Sequence, residues 1–338
     1  MLLSIIIPIY NAELYLRRTL DSVMNQGLHD DEWELILVND GSTDDSLSIC
    51  KDYQSRYPSL IKVISQKNSG VSSARNVGIK EASGKFIYFM DADDYLMPNG
   101  FRYLIDNFLD EEYDILTFSS TTIKDFEGEH LPKGSIKGEI IYDGYGCEFL
   151  KHNWQTFIWN QFYKLDYIQS NNFSFQKMTI SEDVMFNLEV WSKNPKVRIV
   201  SSKIYRYINY NSDGQVTKKR DYKHLRASIN SQMHLFSYIS GLNVSFKEKY
   251  GSDNMERLFQ SIMRSFMSRV LSSDLSRKEF KEIINNLTDL NLLPMKNVKS
   301  KNTKIINLMI HHDAFLPIYQ LMYKRLFIPF ILPRLSRE

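Results

Sequence analysis

Residues 2–24 read LLSIIIPIYNAELYLRRTLDSVM, and the periodicity changes once along them. Leu2 to Ile9 is a continuous apolar run rich in isoleucine, the pattern of a strand covered on both faces in a parallel sheet. Past Pro8 and Asn11, the residues Leu14, Leu20, Val23 and Met24 follow at helical spacing. The same switch recurs downstream. Trp33–Val38, Ile61–Ile64, Phe86–Met90 and Ile115–Phe118 read as strands, and residues 44–57, 71–82 and 101–108 read as helices. Strand–helix–strand units of this length predict an open α/β sheet with right-handed crossovers. Ligands on such sheets lie beyond the carboxyl ends of the strands, so the residues just after each run matter most.

After the first four runs those residues are polar. Pro8-Ile9-Tyr10-Asn11 ends the first run, and Asn39-Asp40-Gly41-Ser42-Thr43-Asp44 follows the second. Gln66-Lys67-Asn68-Ser69-Gly70 follows the third, leading to Ala74-Arg75-Asn76, and Asp91-Ala92-Asp93-Asp94 follows the fourth. Asp91 and Asp93 are two apart and share one face while the chain stays extended. Two acids around a neutral spacer suit a hard divalent cation that keeps sites for water and phosphate; the alternative is a capped turn. Asp94 is expected to point away and cap a helix starting near Pro98. Asp40 is either turn chemistry, with Ser42 or Thr43 as N-cap, or an acceptor for the imide N–H of a uracil. Arg75 is either a solvated helix charge or a guanidinium fork facing a base or diphosphate. Glu182-Asp183, after Ser181, opens a helix over about 182–191. Either both acids favour the helix dipole, or one of them is a general base.

The chain has 338 residues, and at about 150 per domain this predicts two domains. Hydrophobic residues at 43% and charged residues at 24% exclude wholesale disorder and fibrous repeats. Cys50 and Cys147 are the only cysteines, so a disulfide framework is excluded and a reducing compartment is expected. Met1–Tyr10 is too short and lacks the basic start of a secretory signal. No apolar stretch reaches the roughly 18 residues of a membrane span, which points to a soluble or peripheral protein. Residues 121–145, Gly-spotted and charged, read as an insertion or mobile loop, and a further strand is expected near Val197–Val200. The polar stretch Asn209–Gly214 marks a boundary, giving a first domain at 1–215 (halves about 1–120 and 121–215) and a helical domain at 216–338. Residues 1–216 carry 21 basic against 30 acidic side chains, and residues 217–338 carry 21 against 10, so the two parts differ in sign.

Taken in order, these motifs resemble family 2 glycosyltransferases with the GT-A nucleotide-sugar-binding fold, a mostly parallel open sheet with helices on both faces followed here by a helical C-terminal region. The resemblance covers about residues 1–210 and rests on residues 5–11, 38–44, 68–70, 74–78, 89–94 and 181–183. It implies that Pro8, Tyr10, Asn11, Asp40, Ser69, Gly70, Arg75, Asp91 and Ala92 contact a nucleotide-sugar, a UDP-sugar foremost. It implies Mn2+ or Mg2+ on Asp93 and Asp91, a catalytic base at Asp183 with Glu182 beside it, and an acceptor side at Trp159 and Asn160. The expected reaction is a metal-dependent, inverting, single-sugar transfer to a glycan or lipid-linked acceptor in surface polysaccharide synthesis, on the cytoplasmic side. One departure concerns Tyr205-Arg206-Tyr207-Ile208-Asn209-Tyr210, where many relatives place the arginine later; Arg206 is given no site role. Another is that none of the four tryptophans follows an arginine, unlike the processive synthases of the superfamily.

Lys218-Lys219-Arg220 opens the helical part, and Ile318, Leu321, Met322, Leu326, Phe327 and Phe330 alternate with Lys324, Arg325 and Arg334. This pattern suits a helix lying in a membrane interface; packing on the first domain or in a homo-oligomer is the alternative. His311-His312 lacks an acid at ligand spacing and is not taken as a metal site. No nucleic-acid-binding motif is visible. The competing function is a catalytically silent nucleotide-sugar-binding or scaffold subunit; an NAD-type oxidoreductase is disfavoured because no Gly-x-Gly-x-x-Gly follows the first strand.

Overall fold

The computed structural model describes residues 1–124, 136–146, 148, 157–209, 221–250, 256–293, 307 and 316–322. The chain divides into two units: Met1–Lys177 with Glu182–Ser212, and Met178–Ser181 with Asp213–Glu338.

The first unit is built on one sheet. β1 (Leu3–Ile9) is buried along its whole length and pairs in parallel with β2 (Trp33–Asn39) and β4 (Phe86–Phe89); β3 (Ile61–Ser65) adds to β2, also parallel. Between them run α1 (Glu13–Met24), α2 (Ser46–Arg56) and α3 (Val71–Glu81). Burial on both faces is why β1, β2 and β4 read as apolar runs, whereas β3, at the edge, is only partly buried. The order β3-β2-β1-β4 reverses direction at β1, so a crevice opens beyond the carboxyl ends of β1 and β4.

The sheet continues past β4 in mixed orientation. β8 (Gln161–Lys164) pairs antiparallel with β4 and with β6 (Ile115–Lys124). β6 runs parallel to β9 (Lys196–Asn209), whose later part carries β5 (Tyr95–Leu96). α4 (Gly100–Asn107), α5 (Leu165–Ser170) and α6 (Glu182–Ser192) complete this half.

Several expectations are corrected here. Residues 121–145 are not one loop: β6 runs on to Lys124, and β7 (Ile140–Tyr145) pairs antiparallel with β9. β7 was hidden because it is an edge strand with little burial on either face (Ile141 is 60% exposed), so it shows no apolar alternation. The strand expected at Val197–Val200 runs fourteen residues, with register shifts where it passes Ser119. Neither Ser42 nor Thr43 caps α2: its N-cap position is Asp45, and the Asp44 carboxylate accepts from Ser46 N at 3.0 Å.

The second unit is helical where described: α7 (Tyr222–Tyr250), α8 (Glu256–Ser272), α9 (Arg277–Asp289) and α10 (Leu316–Met322). Phe236 meets Phe266 edge to face at 5.2 Å within its core. Ser276 and Glu279 form a capping box on α9, and Arg226 holds both Asp274 and Glu279. Ile318 and Leu321 are exposed. Lys218–Arg220, His311, His312 and the basic-apolar run from Lys324 to Arg334 lie outside the described residues. No helix among the described residues is long and apolar enough to cross a membrane.

Candidate active site

The ends of β1 and β2 are laced together. Asn11, with φ 49°, accepts from Thr43 N at 2.8 Å and donates its own N–H to Ser42 Oγ at 3.1 Å. Ala12 N donates to Ser46 Oγ at 2.8 Å. Asn11 therefore shapes the rim with its side chain, while Tyr10 stands 52% exposed and Pro8 is buried in β1.

Asp40 is only 3% exposed, and its carboxylate gathers the third strand end. Its Oδ1 accepts from Ser69 N at 2.8 Å and Gln66 Nε2 at 2.7 Å, and its Oδ2 accepts from Gly70 N at 2.8 Å. Three of about four lone-pair positions are thus taken, leaving room for one more donor. Gly70 has φ 93°, a conformation that side-chain-bearing residues rarely adopt, and it sets the start of α3.

α3 then places Arg75 in the crevice. Its helix lies close on β1 because Gly78 has no Cβ; an added one would stand 2.3 Å from Ile6 Cγ2. Asn76 clamps the chain ahead of α6: its Nδ2 donates to Phe175 O, and its Oδ1 accepts from Phe175 N, both at 2.8 Å. The Arg75 side chain is 5% exposed, so it is not a solvated helix charge. Nη2 donates to Asp91 Oδ1 at 2.9 Å and Nη1 to Glu182 Oε1 at 2.8 Å. Burial disfavours the guanidinium charge, but Asp91, Glu182 and Asp183 more than restore it.

Asp91, Ala92 and Asp93 form a turn held from two sides. Arg18 Nη2 donates to Asp93 O at 2.7 Å, and the Thr19 hydroxyl lies 2.8 Å from the carbonyls of both Ala92 and Asp94. Asp94 does point away, but it caps nothing: it is buried, accepting from Tyr205 Oη at 2.5 Å and Ile208 N at 2.7 Å. The N-cap of α4 is Asn99, with no side-chain hydrogen bond. Burial, then the charge on Asp91, raises the Asp93 carboxyl to about 6. Asp91 and Asp93 offer hard oxygen donors on a pinned turn, which fits a divalent cation completed by water and phosphate oxygens. No group of three or more His, Cys, Asp or Glu forms a ready-made cage among the described residues.

Asp183 opens α6 beside Glu182. Burial first, and then the Glu182 charge, push its carboxyl up to about 7, while Arg75 pulls the other way. Glu182 is engaged by Arg75, whereas no arginine hydrogen-bonds the Asp183 carboxylate among the described residues. Asn187 steadies this helix by accepting from Tyr163 Oη at 2.7 Å.

Trp159 stacks on Tyr205 (ring centroids 4.4 Å), Phe157 (4.7 Å) and Tyr207 (6.0 Å), and its carbonyl accepts from Tyr88 Oη at 2.8 Å. Asn160 is buried and donates to Phe118 O, so it is tied to β6. Tyr207 is a residue the sequence reading missed. Burial raises its phenol to about 12, with the charges of Asp94, Asp93 and Asp91 adding to it, so it stands near the acidic turn. Arg18 and Thr19 were also missed, and Asn76, quoted within its motif, was given no role; each works through backbone atoms of a distant segment, which leaves no local pattern.

A sequence profile described as Glycosyl transferase family 2 matches residues 4–181. The minor teichoic acid biosynthesis protein GgaB of Bacillus subtilis (strain 168) is 36% identical over 207 residues, which cover 60% of this chain and 22% of GgaB. The chain thus spans under a quarter of that relative's length. Among solved structures, S. aureus TarS 1-349 in complex with UDP-GlcNAc superposes with a TM-score of 0.61 at 21% identity, over 96% of this chain and 92% of that one. Mannosyltransferase PcManGT from Pyrobaculum calidifontis, in complex with GDP-Man and Mn2+, gives a TM-score of 0.53 at 13% identity, over 96% and 88% of the two chains. Both likenesses are of fold.

Proposed function

The chain belongs to glycosyl transferase family 2, and we propose that it moves a sugar from a UDP-sugar to a hydroxyl of a glycan or lipid-linked acceptor in surface polysaccharide synthesis, with inversion. The observation that carries this reading is the joining of Arg75, Asp91 and Glu182, with Asp183 alongside, at the carboxyl end of the sheet. The UDP-GlcNAc complex of TarS and the teichoic acid role printed for GgaB support the donor and product classes.

In this reading the rim from Pro8 to Asn11, with Asp40, Ser69 and Gly70, holds the nucleotide base, and one lone pair of Asp40 remains for it. Arg75, Asp91 and Ala92 face the ribose and diphosphate. Asp93 and Asp91 would hold Mn2+ or Mg2+, which offsets the charge that grows on the departing diphosphate; the Mn2+ complex of PcManGT supports that choice of ion. Asp183 takes the acceptor hydroxyl's proton as the new bond forms, since a hydroxyl needs a base only at that stage. Attack from the face opposite the diphosphate inverts the anomeric centre. Glu182 keeps Arg75 between the two carboxylates. Trp159 and Asn160 line the acceptor side.

The exposed Ile318 and Leu321, with the basic run after them in the sequence, support peripheral contact with the inner face of the membrane. The testing experiment is a donor screen with Mn2+, reading nucleotide release from UDP-, GDP- and TDP-sugars, followed by NMR of the product. Preferential release from a UDP-sugar with a β-linked product is expected. A retained anomeric configuration would remove the single-displacement mechanism.

A further inference from the structure

The four residues that run into α6 are held from a distant helix. Met178–Ser181 pack with the second unit, whereas the chain up to Lys177 and from Glu182 onward packs with the first. Within the second unit, Thr179 N donates to Ser231 Oγ on α7 at 2.9 Å, across 52 residues of sequence. Thr179 lies in a bend outside helix and strand, so its N–H has no ladder to join and a side-chain oxygen fixes it instead. Ile180, the next residue, is buried. α7 is a firm support for this grip: Leu235 and Phe236 in its next turn are fully buried, and Phe236 packs on Phe266 of α8.

Two residues past Thr179 the backbone turns sharply. Ser181 has φ 65°, a left-handed conformation that residues with a side chain keep only where their surroundings hold them. Glu182 and Asp183 follow at once. Beyond the turn, the hold is the Arg75–Glu182 ion pair at 2.8 Å. Ahead of it, Asn76 clamps Phe175 and the Ser72 hydroxyl donates to Gln176 O at 2.7 Å. Ser231 grips the stretch between these points, next to the turn itself. Glu182 is tied to Arg75 by that ion pair and Asp183 is not, so slack in the stretch is felt at Asp183 first.

We propose that Ser231 is a positioning residue for sugar transfer: by holding Thr179 it fixes where Ser181 turns, and so where α6 sets the Asp183 carboxylate before the attacking hydroxyl. The inference rests on the reading of Asp183 as the base. A displacement of about 1 Å at such a group can cost about 10²-fold in rate while binding is untouched. The helical unit thereby has a part in catalysis that is separate from any membrane contact.

The test compares Ser231→Ala and Ser231→Thr with the wild type, each as the full chain. Alanine is the better helix former, so α7 is expected to persist, and circular dichroism checks it. Should Ser231→Ala lose its native spectrum, Ser231→Cys, close in shape with only a weak acceptor, takes its place. UDP release is followed with the UDP-sugar selected by the donor screen, and UDP affinity by calorimetry. Ser231→Ala is expected to lower kcat about 10–100-fold, with KM for the donor and Kd for UDP held within about twofold. Amide exchange in the peptide spanning residues 176–186 is expected to speed up. Ser231→Thr, which keeps the hydroxyl, is expected to restore most of kcat. Unchanged kcat in the folded variant, failure of threonine to restore it, or parallel losses of kcat and UDP affinity would overturn the role. Asp183→Asn, run alongside, separates the two ideas. Full turnover there removes the base and this inference with it, whereas an inactive Asp183→Asn beside a fully active Ser231→Ala removes Ser231 alone.

Discussion

Arg75 and Glu182 lie 107 residues apart in the chain and meet at 2.8 Å, while the other arm of the same guanidinium reaches Asp91. The Arg75 side chain, only 5% exposed, is thereby held between Glu182 at 14% and the partly exposed Asp91 at 34%. Such a triad adds little net stability over an apolar cluster, but removing one member leaves an uncompensated charge. It ties α3, the end of β4 and the start of α6 into one spacing.

That spacing assigns different roles to adjacent acids. Asp183→Asn is expected to lower transfer by about 10²–10⁴-fold, the range for a lost general base, with UDP affinity nearly unchanged. Glu182→Gln leaves Arg75 with Asp91 alone and is expected to weaken UDP binding as well as turnover. Single-turnover kinetics with UDP calorimetry on both variants checks this; full activity in Asp183→Asn would move the base elsewhere.

The pH profile has a defined sign. Asp183 accepts a proton only when ionised, and its carboxyl lies near 7 because of burial and the Glu182 charge. Transfer is therefore expected to fall about tenfold per pH unit on the acid side of that value and to level off above it. The limb belongs to the Glu182–Asp183 pair as a unit. Rates of kcat/KM that stay flat down to about pH 5 would rule out a base with this environment.

Asp93→Asn removes one hard anionic donor from the turn while keeping its shape. Mn2+ is expected to strengthen UDP binding in the wild type, and this gain should shrink by more than about tenfold in the variant. Titrations with Mn2+ and with a chelator measure it; an undiminished gain would place the ion on other residues.

Asp94→Ala is predicted to act on stability. It strips the acceptor from Tyr205 Oη and Ile208 N, both buried. A loss of about 2–4 kcal/mol in urea unfolding is expected for two stranded donors. A loss under about 0.5 kcal/mol, the size of a neutral surface change, would show that the turn does not depend on β9.

Gly78→Ala tests how closely α3 must lie on β1. The new methyl would start 2.3 Å from Ile6 Cγ2 and needs a shift of helix or strand. Overpacking of this kind costs about 1–3 kcal/mol, and Arg75 would move with the helix, so thermal stability and UDP affinity should fall together.

Much of the first half was legible beforehand for a local reason. β1, β2 and β4 are buried on both faces, so their apolar runs stand out, and the polar residues after them mark the crevice by position alone. β7 and β5 were not legible. One is a solvent-facing edge strand and the other has two residues, so neither imposes a period on its side chains. Asp94 misled because an acid after a strand is most often a cap; a partner 111 residues away leaves no trace in its neighbours.

From the amino-acid order alone came the parallel sheet, the placing of chemistry at its strand ends, and the candidate acids Asp91, Asp93 and Asp183, because periodicity and motif spacing are properties of neighbouring residues. Only the folded chain decided that Arg75 joins Asp91 to Glu182 and that Asp94 anchors to β9. Each depends on which side chains from remote segments share a buried volume, and that is settled by packing and desolvation rather than by spacing along the backbone.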